Sequence, residues 1–224
     1  MKLGLVIADD MEFAPVEQKS KLYNGETFTL GGDKAVKFET VCGNIIVAVL
    51  CGTGKVNAAG ATATLICKER PDCIINLGLS GAIKGVYKND IVICDKLLEH
   101  DFDLSPLGYE VGVKPQKTYI YEADKDLFDR FTNKFSAIKP CTFVTGDMFV
   151  SSKEKKEYII NKFGGGCCDM ESAAVASVCY KMEVPFISIR KLSDDADEEA
   201  ADTYRESNNL KEDVLINMIL SLFG

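Results

Sequence analysis

Two groups of charged residues in this chain stand where strand-like runs end. The run Val184-Pro185-Phe186-Ile187-Ser188-Ile189-Arg190 alternates and is rich in β-branched residues, which predicts a buried strand. It is closed by Lys191-Leu192-Ser193-Asp194. Far upstream, Leu3-Gly4-Leu5-Val6-Ile7-Ala8 predicts a second strand, which opens into Asp9-Asp10-Met11-Glu12. Open α/β sheets bind ligands at the carboxyl ends of their strands, so both groups would reach one edge. Carboxylates delivered there by different strands, with a cation beside them, point to acid/base chemistry on a polar small molecule.

Other segments have a structural and a chemical reading side by side. In Thr145-Gly146-Asp147-Met148-Phe149-Val150, Phe149 is either a core residue or a platform for a flat heteroaromatic ring. In Cys168-Asp169-Met170-Glu171-Ser172, the acidic residues suit the first turn of the helix that follows. Alternatively, Glu171 could accept a pair of hydrogen bonds from a sugar diol. His100 to Tyr109 reads only as a mixed surface loop. Gly52-Thr53-Gly54-Lys55 is not a phosphate loop, since Val49 and Val56 stand where that motif needs a glycine and a hydroxyl. Gly78-Leu79-Ser80-Gly81-Ala82 lacks the last glycine of a serine-hydrolase elbow.

Composition narrows the classes further. A net charge of −8 argues against nucleic acid or an anionic membrane as the main partner. No apolar run approaches the roughly 18 residues of a membrane span, and no signal-peptide pattern opens the chain. A single histidine, His100, excludes a zinc site built from several imidazoles, and no metal is expected. The nine cysteines are scattered without C-x-x-C spacing, which fits buried free thiols in a reducing cytoplasm and disfavours a Cys167–Cys168 disulfide.

With 224 residues and no linker or repeat, residues 1–224 read as a single domain. Strands are expected at 2–8, 26–31, 35–42 and 44–51, with a helix starting near Met11 and carrying Pro15 early in it. A helix at 56–68 ends at Arg70-Pro71, and a strand at 73–77 ends in the turn Gly78-Leu79-Ser80-Gly81. Further strands are expected at 90–95, 141–145 and 184–190, and helices at 123–136, 151–163, 169–182 and 206–223. The alternation after residue 55 predicts an α/β fold with a mixed central sheet.

Seven segments, in order, resemble the 5′-methylthioadenosine/S-adenosylhomocysteine nucleosidases of the nucleoside phosphorylase superfamily. They are G-L-V-I-A-D-D-M-E, G-T-G-K-V-N-A-A, I-I-N-L-G-L-S-G, H-D-F-D-L-S-P-L-G-Y, T-G-D-M-F-V, D-M-E-S-A-A and I-R-K-L-S-D-D-A-D. The resemblance implies a three-layer α/β fold with a mixed, barrel-like central sheet flanked by helices, and a homodimer. It implies a nucleoside substrate and water, with no cofactor. By the same resemblance Glu12 activates the water, Arg190 helps fix that water and the sugar, and Asp194 protonates purine N7 with Ser193 beside it. Phe149 stacks on the base, the Val150 backbone reads its edge, and Met170 and Glu171 hold the ribose. Leu104, Leu107 and Tyr109 belong to a loop lent by the neighbouring subunit, and Tyr204 closes the 5′ pocket.

Several positions depart from that pattern, and two of them, Asp9 and Thr53, fall near the expected 5′ pocket. Asp9 stands where a methionine is usual, Thr53 replaces an isoleucine and Leu79 a serine. Leu107 replaces an aromatic, Asp169 a glutamate and Lys191 a small residue. Asp9 and Thr53 weaken the expectation of a wholly apolar thioether pocket, and a more polar or futalosine-like 5′ group becomes an alternative. Hydrolysis is expected over phosphorolysis. Asn76 stands where the phosphorylases carry a phosphate-gripping arginine, and Asp9, Asp10 and Glu12 would repel a dianion.

Overall fold

The two strands expected to converge on the site do not touch each other; a third strand lies between them. A computed structural model describes residues 1–224. In chain order its elements are β1 (Lys2–Ile7), α1 (Asp10–Leu22), β2 (Glu26–Leu30), β3 (Asp33–Glu39), β4 (Ile45–Leu50) and α2 (Lys55–Glu69). Then come β5 (Cys73–Ala82), β6 (Ile91–Glu99), β7 (Ile120–Glu122), α3 (Lys125–Lys134), β8 (Lys139–Thr145) and α4 (Lys153–Phe163). The chain closes with β9 (Cys167–Asp169), α5 (Ser172–Met182), β10 (Phe186–Asp194), α6 (Ala200–Asn209) and α7 (Val214–Phe223).

β5 pairs parallel with β1 on one side and with β10 on the other. The registers Ile7↔Leu77 and Arg190↔Gly78 bring the carboxyl ends of all three strands to one level. The order β10-β6-β8-β9-β5, closed by the β10–β5 pair, makes a five-stranded barrel. From β5 the sheet extends through β1, β4, β3 and β2. β1 and β5 are covered on both faces, so they read as continuous apolar runs rather than alternating ones. A single cluster of buried apolar side chains runs through both halves of the sheet and into the flanking helices.

Helices α2 and α5 pack together, and the buried residues of their first turns are mostly small: Ala58, Ala61 and Thr62 on one, Ser172, Ala173, Ala174 and Ala176 on the other. Small side chains allow close approach, which brings Gly54 at the start of α2 within hydrogen-bond reach of Glu171 at the start of α5. No helix is long and apolar enough to cross a membrane.

Several expected boundaries move, each for a local reason. β5 does not end at Leu77; Gly78 to Gly81 continue the ladder to β10, and Gly81 and Ala82 also pair with β9. The helix expected at 169–182 starts at Ser172, because Cys167–Asp169 forms a short strand against β5 and β8. The helix expected at 206–223 is two helices, broken after Asn209, where Lys211 takes a left-handed backbone (φ 48°). β4 is antiparallel to β3 and parallel to β1, which makes the sheet mixed as expected. Helix α1 begins at Asp10, so Pro15 falls in its second turn and leaves the Met11 carbonyl without an i+4 donor. All nine cysteines are free thiols, six of them buried.

Candidate active site

A cavity of about 260 Å³ opens where β1, β5 and β10 end. Its walls bring together Asp9, Glu12, Thr53, Leu79, Phe149 and Val150. Met170, Glu171, Ser193, Asp194 and Tyr204 line it as well, whereas Arg190, also expected there, is buried and is not part of the wall.

Glu12 lies in the first turn of α1, whose N-cap is Asp9. Its Oε1 accepts the Leu79 N–H at 2.7 Å, while Oε2 is out of contact with solvent and has no hydrogen-bond partner in the chain. Burial pushes the Glu12 carboxyl up to about 7, against the pull of Arg190 and the Leu79 N–H. Arg190 is 1% exposed. Its Nη2 donates to Asn76 Oδ1 at 2.6 Å and its Nη1 to the Leu79 carbonyl at 3.4 Å. Asp169 Oδ2 lies 3.7 Å from its Nε, and Glu171 Oε2 lies 3.6 Å from Nη2. A guanidinium buried among three carboxylates stays charged, and burial alone would oppose that.

Asp194 ends β10 on a bulge. Leu192 pairs with Ser80 and Asp194 with Gly81, so Ser193 is the extra residue that re-aims the pair. Ser193 Oγ lies 2.6 Å from Asp194 Oδ2 and 3.2 Å from the Ser80 carbonyl. A serine hydroxyl has one proton to give. When Asp194 Oδ2 is protonated, the carboxyl donates to Ser193 and Ser193 donates to Ser80, so both contacts are satisfied. Burial raises the Asp194 pKa, against the Ser193 hydroxyl and the Ala196 N–H on Oδ1 at 2.9 Å. Burial thus favours a carboxyl able to give a proton.

Between these ends, Glu171 accepts the Gly54 N–H on Oε1 at 2.9 Å. Its carboxyl is also raised by burial. Asp169, expected in the first helical turn, instead precedes the helix and ties it down. Its Oδ1 accepts Thr145 Oγ1 at 2.8 Å, Glu171 N–H at 3.0 Å and Ser172 N–H at 2.9 Å, and its Oδ2 meets the Ser172 hydroxyl. Asp169 and Glu171 both line the cavity and lie near Arg190, but the Asp169 oxygens are the more fully engaged within the chain.

At the mouth, the rings of Phe149 and Tyr204 meet edge to face with centroids 5.6 Å apart. Phe149 is 42% exposed, so it is not a core residue. Asp9 Oδ1 caps α1 through the Met11 N–H at 2.8 Å and accepts the Asn208 amide at 3.0 Å. The same amide lies 3.3 Å from the Tyr204 hydroxyl.

Leu104, Leu107 and Tyr109 do not line this cavity, and Leu107 and Tyr109 are exposed. Lys191 points away from it and pairs with Glu212 beyond the end of α6. Three roles escaped the sequence reading. Asn76 holds Arg190, Asn208 ties Asp9 to Tyr204, and Gly78 makes room for Arg190. Only Asn76 carried a signal, as a lone amide in an apolar strand.

The profile of the Phosphorylase superfamily matches residues 2–223. A 5′-methylthioadenosine/S-adenosylhomocysteine nucleosidase from Exiguobacterium sp. is 38% identical over 173 residues, 73% of each chain. One from Haemophilus influenzae is 34% identical over 212 residues, 92% of this chain and 91% of the other. The chain belongs to this nucleosidase family. The Helicobacter pylori nucleosidase structure superposes with a TM-score of 0.92 at 28% identity, covering 99% of this chain and 97% of that one. A structure described as futalosine hydrolase of the same species gives 0.91 at 28%, with the same coverage. The Streptococcus pneumoniae nucleosidase with a transition-state inhibitor gives 0.91 at 29%, covering 100% and 98%. The enzyme is therefore a purine nucleosidase, a hydrolase of N-glycosyl bonds.

Proposed function

We propose that the enzyme hydrolyses 5′-substituted adenosines, of the 5′-methylthioadenosine, S-adenosylhomocysteine and 5′-deoxyadenosine type, to adenine and the free ribose. The observation that carries this reading is the division of the cavity. A buried carboxyl with its serine, Asp194–Ser193, lies against Gly81 of β5, and a buried carboxylate beside a fixed guanidinium, Glu12–Arg190, lies against Gly78, three residues earlier.

Adenine leaves poorly as an anion. Asp194 gives its proton to N7 while the C1′–N9 bond breaks and its electron pair passes to the base. Charge develops on the sugar, and Glu12 and Glu171 are the carboxylates near it. Water held by Glu12 Oε2 attacks C1′ and gives its proton to Glu12, as in the paired carboxyls of inverting glycosidases. Glu171 accepts the ribose hydroxyls, with Met170 beside it. Phe149 stacks on the base and Tyr204 closes over the 5′ group. Phosphate is excluded because Arg190 already serves Asn76 and the Leu79 carbonyl between three carboxylates.

A second reading concerns the 5′ group. Asp9 and Thr53 put polar atoms where the family's thioether pocket is apolar, which favours a polar or futalosine-like substituent. Residues 1–224 would act as one domain in the cytoplasm. The exposed Leu107 and Tyr109, with Leu104, would complete the site of a second subunit in a homodimer. Product analysis with a panel of 5′-substituted adenosines, with and without phosphate, tests the reading. Adenine and free sugar, at a rate indifferent to phosphate, are expected; sugar 1-phosphate would refute it. Sedimentation tests the dimer.

A further inference from the structure

We propose that the water consumed in the reaction reaches Glu12 through a second cavity, separate from the mouth that admits the nucleoside. The inference rests on the hydrolytic reading above. This cavity, about 40 Å³, lies under the break between α6 and α7. Exposed Lys211 and Glu212 stand at its outer end, and buried Leu77 and Gly78 at its inner end. Glu12 and Leu79 are the residues it shares with the nucleoside cavity. The volume holds about three waters at roughly 10–15 Å³ each.

A nucleoside seated between Phe149 and Glu171 fills the larger cavity and bars that way to Glu12. The smaller one remains. Glu12 Oε1 is engaged by Leu79, while Oε2 is buried without a partner, so this carboxylate, in the wall common to both cavities, has an acceptor left for a water. Gly78 carries no side chain at that point. Polar groups mark the route, as a water path needs. Pro15 leaves the Met11 carbonyl without its helical donor, and both residues line the cavity. The Lys191–Glu212 pair holds the outer end, which gives the half-buried Lys191 a task unrelated to the nucleoside.

Methanol can replace water in the same balanced step. Its oxygen bonds to C1′, its proton goes to Glu12, adenine leaves with the electron pair of C1′–N9, and a methyl riboside replaces ribose. Val214 lines the second cavity only and is partly buried. In water–methanol mixtures, Val214→Phe should lower the ratio of methyl riboside to ribose and Val214→Ala should raise it, each by about threefold or more. Val214→Phe should also lower kcat with KM for the nucleoside unchanged; Val214→Leu serves if the phenylalanine variant does not fold. Equal ratios in wild type and variants would show that the nucleophile enters by the nucleoside mouth, and the proposal would fall. Where no protein yields methyl riboside, an unchanged kcat in Val214→Phe overturns it. A wild-type enzyme that forms sugar 1-phosphate refutes the hydrolytic reading instead.

Discussion

A Cβ built on Gly78 would lie 2.3 Å from Nη1 of Arg190, and 2.9 and 3.0 Å from the two oxygens of Glu12. Gly78 has ordinary strand geometry, so the glycine is required by space and not by its backbone. Opposite it in the parallel register stands Arg190 itself. Gly78→Ala must therefore push the guanidinium or the carboxylate aside, and neither has free room. We expect kcat to fall by about a hundredfold, the cost of displacing a reacting group by about 1 Å. Wild-type kcat in a folded Gly78→Ala variant would show that Glu12 and Arg190 do not need this placement.

The pH profile follows from the raised carboxyl of Glu12. Acting as base, Glu12 must be ionised, so kcat/KM should fall as pH drops below about 7. Stability runs the other way. The folded pKa lies above the ordinary value of 4.5, so between those values the folded chain binds a proton that the unfolded chain has lost. Stability from this group is present below pH 4.5 and is lost as pH rises through 7, on the order of 3 kcal/mol. Glu12→Gln should abolish turnover, retain nucleoside binding and melt higher than wild type at pH 8. At about 2–4 °C per kcal/mol the gain is measurable, and it should vanish near pH 4. Equal melting temperatures at pH 8 would mean that burial does not strain this carboxylate.

Asp194→Asn keeps the shape of the side chain and loses the acid. An amide can still face N7 but has no proton to lose at neutral pH. The variant should fold, bind nucleoside and release adenine about 10²–10⁴-fold more slowly, the range for a positioned acid. Retention of more than about a tenth of wild-type turnover would move the acid elsewhere. Ser193→Ala is the companion test. It removes the hydroxyl that bridges Asp194 and the Ser80 carbonyl, and should cost less than the loss of the acid itself.

What was legible in the sequence was the set of strand ends. Runs such as Leu3–Ala8 and Phe186–Arg190 are apolar enough to show themselves, and the carboxylates that follow them converge because β5 lies between β1 and β10. Pairing across the barrel was not legible. Gly78 to Gly81 look like a turn by composition, but two neighbouring strands hold them extended. Asp169 looked like a helix-start residue by charge, and a three-residue strand places it before the helix instead. The break after α6 left no proline or glycine as a mark; Lys211 adopts the left-handed backbone without either. Asn208 could not be found at all, because its partner Asp9 lies 199 residues away.

Asp9 would disfavour a thioether if its carboxylate were buried and unpaired, as its replacement of an apolar residue suggests. The structure gives it two partners: Oδ1 caps α1 through Met11 and accepts the Asn208 amide, and the residue is only half-buried. Its proposed influence on the 5′ group would therefore run through Asn208 to Tyr204 as well as through its own charge. Asp9→Met removes the cap and should cost about 0.5–2 kcal/mol of stability. Asp9→Asn keeps a capping oxygen and removes the charge, so stability should change little. If the charge governs the pocket, both variants raise kcat/KM for 5′-methylthioadenosine relative to adenosine in competition. If the latch governs it, only Asp9→Met shifts the ratio, because asparagine still accepts from Asn208. An unchanged ratio in both would show that Asp9 serves the helix alone and leaves the choice of 5′ group to Thr53, Tyr204 and the loop around Leu107.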